Sequence, residues 1–292
     1  FSGSPNDQSD SLFLLLGRFD GNLNQSVVEL IDLSNFDVLN VYNPDYNMIN
    51  ELVLKNNKEL FERIKFDESQ DRVGVKHPLL LNDGSILFTG YYSPLIQIDK
   101  NNNPLNVIAN RDYHHSIEPF GANRFYVCAL STVSEPLKKY YPQNVYDSIV
   151  RINIKGEIEY EKNLTNIFFD NEIDHFISYQ YPTDHFHLND IEPVMKDGKY
   201  WKYGDLFLSI RNLNLVILYR PSTNKVIWKS EGHLHYQHDV DIISDNQISI
   251  FNNNVRYLSR KNVRGVDESN EIIIYNFEND TYSEYLKNSL IK

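Results

Sequence analysis

The chain has 292 residues, of which 41% are hydrophobic and 13% aromatic, with 20 Tyr and 16 Phe; that is apolar material for one large β domain or two ordinary ones. Its formal net charge of −12 argues against general nucleic-acid or anionic-membrane binding, which needs a basic surface, and does not exclude a small anion held by a local Arg. A single cysteine, Cys128 in the apolar run RFYVCAL, excludes an internal disulfide and a cysteine-rich zinc site and reads as a buried thiol, and no stretch approaches the ~18 apolar residues of a membrane span.

Residues 1–10, FSGSPNDQSD, read as a flexible polar leader. The run SLFLLLG that follows is too short for a span and lacks the basic start and small-residue end of a secretory signal. Residues 11–292 are expected to form one domain. Its first element is a hairpin, SVVELIDLSNFDVLNVY, followed at about 47–64 by a helical insertion with Ile49, Leu52, Val53, Leu60, Phe61 and Ile64 at helical spacing. Four more hairpins follow: PLIQIDKNNNPLNVI, SIVRINIKGEIEYEK, NLVILYRPSTNKVIWK and EIIIYNFENDTYSEY. Aligned on the last residue before the turn, the five place Asp32, Asp99, Asn153, Arg220 and Asn276 in register, at intervals of 54 to 67 residues. Alternation in LIQID and IVRIN predicts strands with one face inward, and the Asn, Gly, Ser and Asp of the turns suit tight hairpins.

Before each hairpin after the first lies a run opened by a histidine: His77, His115, His187 and His238. Histidine, strand, turn, strand and hairpin add up to about four strands, the content of a propeller blade. The predicted fold is therefore an all-β propeller of five to six blades with short helical insertions, a sixth blade coming from irregular segments or from joining the termini. A β-sandwich of the same hairpins would not explain a repeated histidine. Blades around an axis bring the histidines together.

His238, in GHLHYQHDVDII, has His233 and His235 just upstream. His185 and His187 are two apart, so in an extended run they share a face with Asn189. Arg211 interrupts the apolar run LFLSIRNLNLVILY, where an unpaired guanidinium is costly to bury; its planar fork of donors matches sulfate, phosphate or carboxylate oxygens. His114 and His115 point to opposite faces of a strand, and the repeat register selects His115. His77, followed by Pro78, has no polar companions. The catalytic candidates are thus His238, His187, Arg211 and His115, with Asn189, His114 and His235 as candidate substrate contacts. Glu118, Asp190, Glu192, Asp239 and Asp241 lie beside the histidines and are able to fix a tautomer or raise a histidine pKa; acids on an exposed rim are the bland alternative.

The ordered set HLNDI, LFLSIRNLNLVILY, NKVIWKSEG, YQHDVDII and QISIFNNN, over about residues 185–255, resembles the arylsulfotransferase family. That family is marked by an H-x-N run, an S-R or S-x-R strand, a turn ending in V-x-W, and a Q-H run followed by an L/I-x-x-F-D/N-N strand. The resemblance implies a six-bladed propeller that moves a sulfuryl group from an aryl sulfate to a phenol. It implies no nucleotide sulfate donor, cofactor or metal, and a periplasmic or extracellular setting. By motif position His238 looks like the transient covalent carrier, His187 and Arg211 match the sulfuryl-binding His and Arg, and His115 matches an earlier channel histidine. The chain is shorter than the large bacterial members. It has no cysteine pair, carries Asp190 where a small hydroxyl residue is common, and has Asn in place of the Asp of the last motif. Two other classes stay open: a metal enzyme with histidines on a propeller axis, against which Arg211 would repel a cation, and a propeller that only binds a ligand or partner.

Overall fold

The computed structural model describes residues 12–64, 74–135, 137–139, 145–177, 184–230, 232–257, 264–266 and 269–285. The leader expected at 1–10 lies outside these. The chain divides into two compact units, Phe1–His114 and His115–Lys292. Among the described residues no helix is long and apolar enough to cross a membrane.

The first unit opens with a sheet of three antiparallel strands, β1 (Phe13–Asp20), β2 (Gln25–Asp32) and β3 (Val38–Tyr42). The helical stretch read from the sequence is two helices, α1 (Tyr46–Asn56) and α2 (Lys58–Ile64). Asp45 caps α1, its carboxylate accepting from the Asn47 and Met48 N–H groups at 2.9 and 3.1 Å. Ile49 and Val53, one turn apart, are buried. They pack in one apolar cluster with Val28, Tyr42, Ile86, Phe88 and Ile96. A second antiparallel sheet follows: β4 (Lys76–Leu80), β5 (Ile86–Thr89), β6 (Ser93–Ile98) and the first part of β7 (Pro104–Pro119), which runs on into the second unit.

In the second unit the end of β7 joins β8 (Arg124–Thr132), β9 (Val145–Asn153) and β10 (Ile158–Asn163), with α3 (Leu164–Asp170) behind them. Next come two four-stranded antiparallel sheets. One is β11 (Leu188–Pro193), β12 (Leu206–Ile210), β13 (Leu215–Arg220) and β14 (Lys225–Lys229). The other starts with β15 (His238–Ser244) and β16 (Gln247–Asn252). The pair β17 (Val255–Tyr257) and β18 (Arg264–Val266) interrupts it, and β19 (Glu271–Asn276) and β20 (Thr281–Tyr285) complete it. Two apolar clusters fill the unit. One holds Leu188, Ile191, Leu206 and Leu208 with Tyr126, Cys128 and Ile149. The other holds Phe207, Val216 and Leu218 with Val240, Ile248 and Ile250. Alternate residues of β12 and β13 thus feed opposite neighbours. Cys128 is fully buried, 3.6 Å from Ser116 Oγ, and burial pushes its thiol well up.

The five residues aligned before the hairpin turns explain themselves structurally. Asp32 accepts from the Ser34 N–H at 2.8 Å, Asp99 from Asn101 and Asn103 at 2.8 Å, Asn153 from Lys155 and Glu157 at 3.0 and 3.1 Å, and Asn276 from Glu278 at 2.8 Å. Each side chain closes its own turn. Arg220 departs from this: its guanidinium forks onto buried Asp205, at 2.7 and 2.6 Å. Asn153→Ala removes a turn acceptor and is expected to cost about 1 kcal/mol, read as a lower urea midpoint with unchanged slope.

Candidate active site

The first strands of successive sheets in the second unit are joined by side chains rather than by a backbone ladder. Ser116 on β7 accepts from the Ile191 N–H of β11 at 3.1 Å. Asp190 on β11 accepts from the Val240 N–H of β15 at 2.8 Å. Two residues on, Glu192 takes a bond from the Ile242 N–H. This pairing sets Ile117, Ile191 and Val240 at equivalent places. Counting back two residues, His115, Asn189 and His238 are equivalent, and His187 sits two residues further upstream. His187 and His115 both have positive φ, +55°, as does His77 at +42°; in the last run the positive φ falls on Asp239, at +53°. The four histidines are therefore not one position repeated. What recurs is a left-handed residue and a nearby bulge at the start of each first strand, as at Leu188/Asp190 and His238/Val240.

That backbone brings three of the histidines together. His187 is buried, 4% exposed, and its Nε2 lies 3.2 Å from His115 Nε2, with ring centroids 4.7 Å apart. The His238 ring is 6.3 Å from that of His115. Arg211 is not inside a strand, as its apolar surroundings suggested. It directly follows β12, in a short 3₁₀ turn over Arg211–Leu213. Its N–H donates to the His187 carbonyl at 3.1 Å, so the end of β12 is tied to the start of β11. The guanidinium lies 5.2 Å from the Tyr236 ring centre, and its Nε donates to Asn212 Oδ1 at 3.1 Å.

Three further residues complete the site. Asp184 Oδ2 meets His187 Nδ1 at 2.5 Å and lies 3.9 Å from the Arg211 guanidinium. Burial works to raise this carboxyl. The hydrogen bond and charge of His187, with the charge of Arg211, outweigh it and hold the group below the usual carboxylate range. Asn253, just beyond β16, places its Nδ2 2.7 Å from both His238 Nδ1 and the Tyr236 carbonyl. That carbonyl is itself 3.3 Å from His238 Nδ1. Asp184, Tyr236 and Asn253 were missed in the sequence. Asp184 stands three residues before His187, a spacing hidden once the run is read as an extended strand.

The other candidates go elsewhere. Asn189 is buried and donates to the Gln237 carbonyl at 2.8 Å, while its Oδ1 has no hydrogen-bond partner among the described residues. His185 packs on Tyr146 rather than beside His187. His114 packs against Tyr92 in the first unit, with ring centroids 5.1 Å apart. His235 is fixed through its N–H, which donates to Asn252 Oδ1 at 2.7 Å. Among the described residues no three His, Cys, Asp or Glu side chains are set to hold a metal ion.

The acids beside the histidines form their own group. Burial, then the charges of Asp190, Glu192, Asp239 and Asp241, push Glu118 well up. Burial and Asp239 do the same to Asp190. Burial and Asp241 raise Glu192 to about 8. A raised carboxyl stabilises the fold fully below the usual carboxylate range, and that stability is lost as pH rises through the folded value. The urea midpoint is therefore expected to fall as pH rises from about 5 through about 8, and Glu192→Gln to flatten that fall; an unchanged slope in the variant would contradict the assignment.

A family model described as Arylsulfotransferase (ASST) matches residues 77–290. No curated protein matches the chain. Among solved structures it is similar to the WD40 domain of Pan2 from Neurospora crassa, with a TM-score of 0.50 at 11% identity, over 94% of this chain and 62% of that one. It is also similar to the C-terminal WD40 domain of Sif2, with a TM-score of 0.45 at 9% identity over 97% and 60% of the two chains. A third is virginiamycin B lyase from Staphylococcus aureus, with a TM-score of 0.40 at 14% identity over 73% and 55%. The chain thus spans less than two thirds of the length of the Pan2 chain. That first likeness shows the fold alone: an all-β propeller.

Proposed function

We propose a reaction from one premise: the chain belongs to the arylsulfotransferase (ASST) family. The reaction is transfer of a sulfuryl group from an aryl sulfate to a phenol, with His238 as the transient carrier. The observation that carries this reading is the meeting of His115, His187 and His238 beside Arg211.

Sulfuryl transfer, like phosphoryl transfer, has a loose transition state with charge spread over the equatorial oxygens. Such a step asks for a nucleophile, a cation and a proton donor. Nδ1 of His238 is held by Asn253 and Tyr236, and in this reading Nε2 is the attacking nitrogen. Its lone pair forms the N–S bond as the S–O bond to the aryl group breaks, and the electron pair leaves on the phenolate oxygen. Attack through Nε2 requires the proton on Nδ1, where the Tyr236 carbonyl 3.3 Å away accepts it, with the Asn253 amide shifting aside. Arg211 balances the charge of the sulfuryl oxygens. The His187–His115 pair donates a proton to the leaving phenolate and removes one from the incoming phenol, whose oxygen then displaces His238 from sulfur. The small molecules that bind are thus an aryl sulfate and a phenol.

Incubation with 4-nitrophenyl sulfate, quenching and peptide mapping is expected to show a sulfo group on His238. His238→Asn is expected to abolish both the adduct and turnover. Arg211→Gln is expected to lower kcat about 10²–10³-fold. No adduct on the wild-type chain, or one that persists in His238→Asn, would overturn the reading.

A further inference from the structure

Asp184 lies at the meeting point of two parts of the site. One carboxylate oxygen faces His187 Nδ1 at 2.5 Å and the Arg211 guanidinium at 3.9 Å. Its backbone carbonyl accepts from Asn212 Nδ2 at 2.6 Å, and Asn212 Oδ1 in turn accepts from Arg211 Nε at 3.1 Å. Residue 184 therefore grips the Arg211 turn by side chain and by main chain.

We propose that Asp184 is a positioning residue that holds His187 in its Nδ1–H tautomer and thereby makes His187 and His115 a pair sharing one proton. The argument is one of donors and acceptors. An ionised carboxylate only accepts, so the hydrogen between Asp184 and His187 sits on Nδ1. That leaves Nε2 of His187 pointing at Nε2 of His115 across 3.2 Å. Two bare lone pairs repel at that distance, as do two N–H groups, so one proton lies between the rings. Neutral His187 accepts it from His115; as an imidazolium, stabilised by Asp184, it donates it. The same carboxylate thus lets charge rest on His187 when a proton arrives from the site. Without Asp184, His187 is free to carry its single proton on Nε2, and the pair loses its direction.

The proposal rests on the sulfuryl-transfer reading only for its effect on rate; the tautomer itself is measured without substrate. Full-length chain labelled with ¹⁵N-histidine is compared by NMR as wild type, Asp184→Asn and Asp184→Glu, with His187→Gln assigning the resonances. The wild type and Asp184→Glu are expected to show His187 protonated at Nδ1, and Asp184→Asn to shift the protonation toward Nε2. His187 resonances in Asp184→Asn identical to those of wild type would overturn the proposal. In turnover of 4-nitrophenyl sulfate, Asp184→Asn is expected to lose about 10²-fold or more in kcat, with Asp184→Glu recovering most of it. A wild-type chain that shows the tautomer but no turnover would sink the reaction and leave the role of Asp184 standing.

Discussion

The first strand of a sheet has one edge with no strand beside it, and its N–H groups must still find acceptors. In the second unit that demand is met by side chains of the preceding first strand: Ser116 for Ile191, and Asp190 for Val240. The rest of the site depends on this. The bonds set how far β7, β11 and β15 stand from one another and which residues come level. They place His115, Asn189 and His238 at one height. Because Asp190 and Glu192 serve as acceptors while buried among other acids, the same bonds also concentrate carboxyl groups where water is scarce.

The site occupies the neighbouring end of these strands. His187 and His238 stand where β11 and β15 begin; Arg211 and Asn253 stand where β12 and β16 have just ended. An antiparallel pair brings the start of one strand beside the end of the next, so residues some 15 to 24 apart in sequence become neighbours. The turn that carries Arg211 is held by its own backbone to His187, which makes the cation and the histidine one rigid part. Preorganisation of this sort matters most for a reaction whose transition state is stabilised chiefly by charge.

Much of this was legible in the sequence, and the failures have a common cause. Hairpin turns were readable because Asp32, Asp99, Asn153 and Asn276 act locally, within four residues of their partners. The helical insertion was readable from the spacing of Ile49 and Val53. The histidines and Arg211 were picked out, but the geometry that joins them was not. A period-two reading put His185, His187 and Asn189 on one face. Positive φ at His187 breaks that alternation, and neither composition nor spacing reports a left-handed residue. Asp184 was overlooked for the same reason: it faces His187 only because the chain turns there. Arg211 read as part of a strand because the apolar runs on either side belong to two strands, β12 and β13, with the turn between them.

The left-handed backbone at His77, His115 and His187 has a bearing on how such positions change over time. For most side chains that conformation is costly, and for β-branched ones most of all, whereas Gly, Asn and Asp enter it readily. The set of tolerated replacements is therefore fixed by the backbone before chemistry is considered. At these sites the backbone alone favours Asn, Asp or Gly over Val or Leu as replacements. His77 holds the same left-handed conformation, with φ at +42°. Histidine at such a position is then two facts at once, a permitted shape and an available ring, and only the neighbours of the ring tell which one selection has kept.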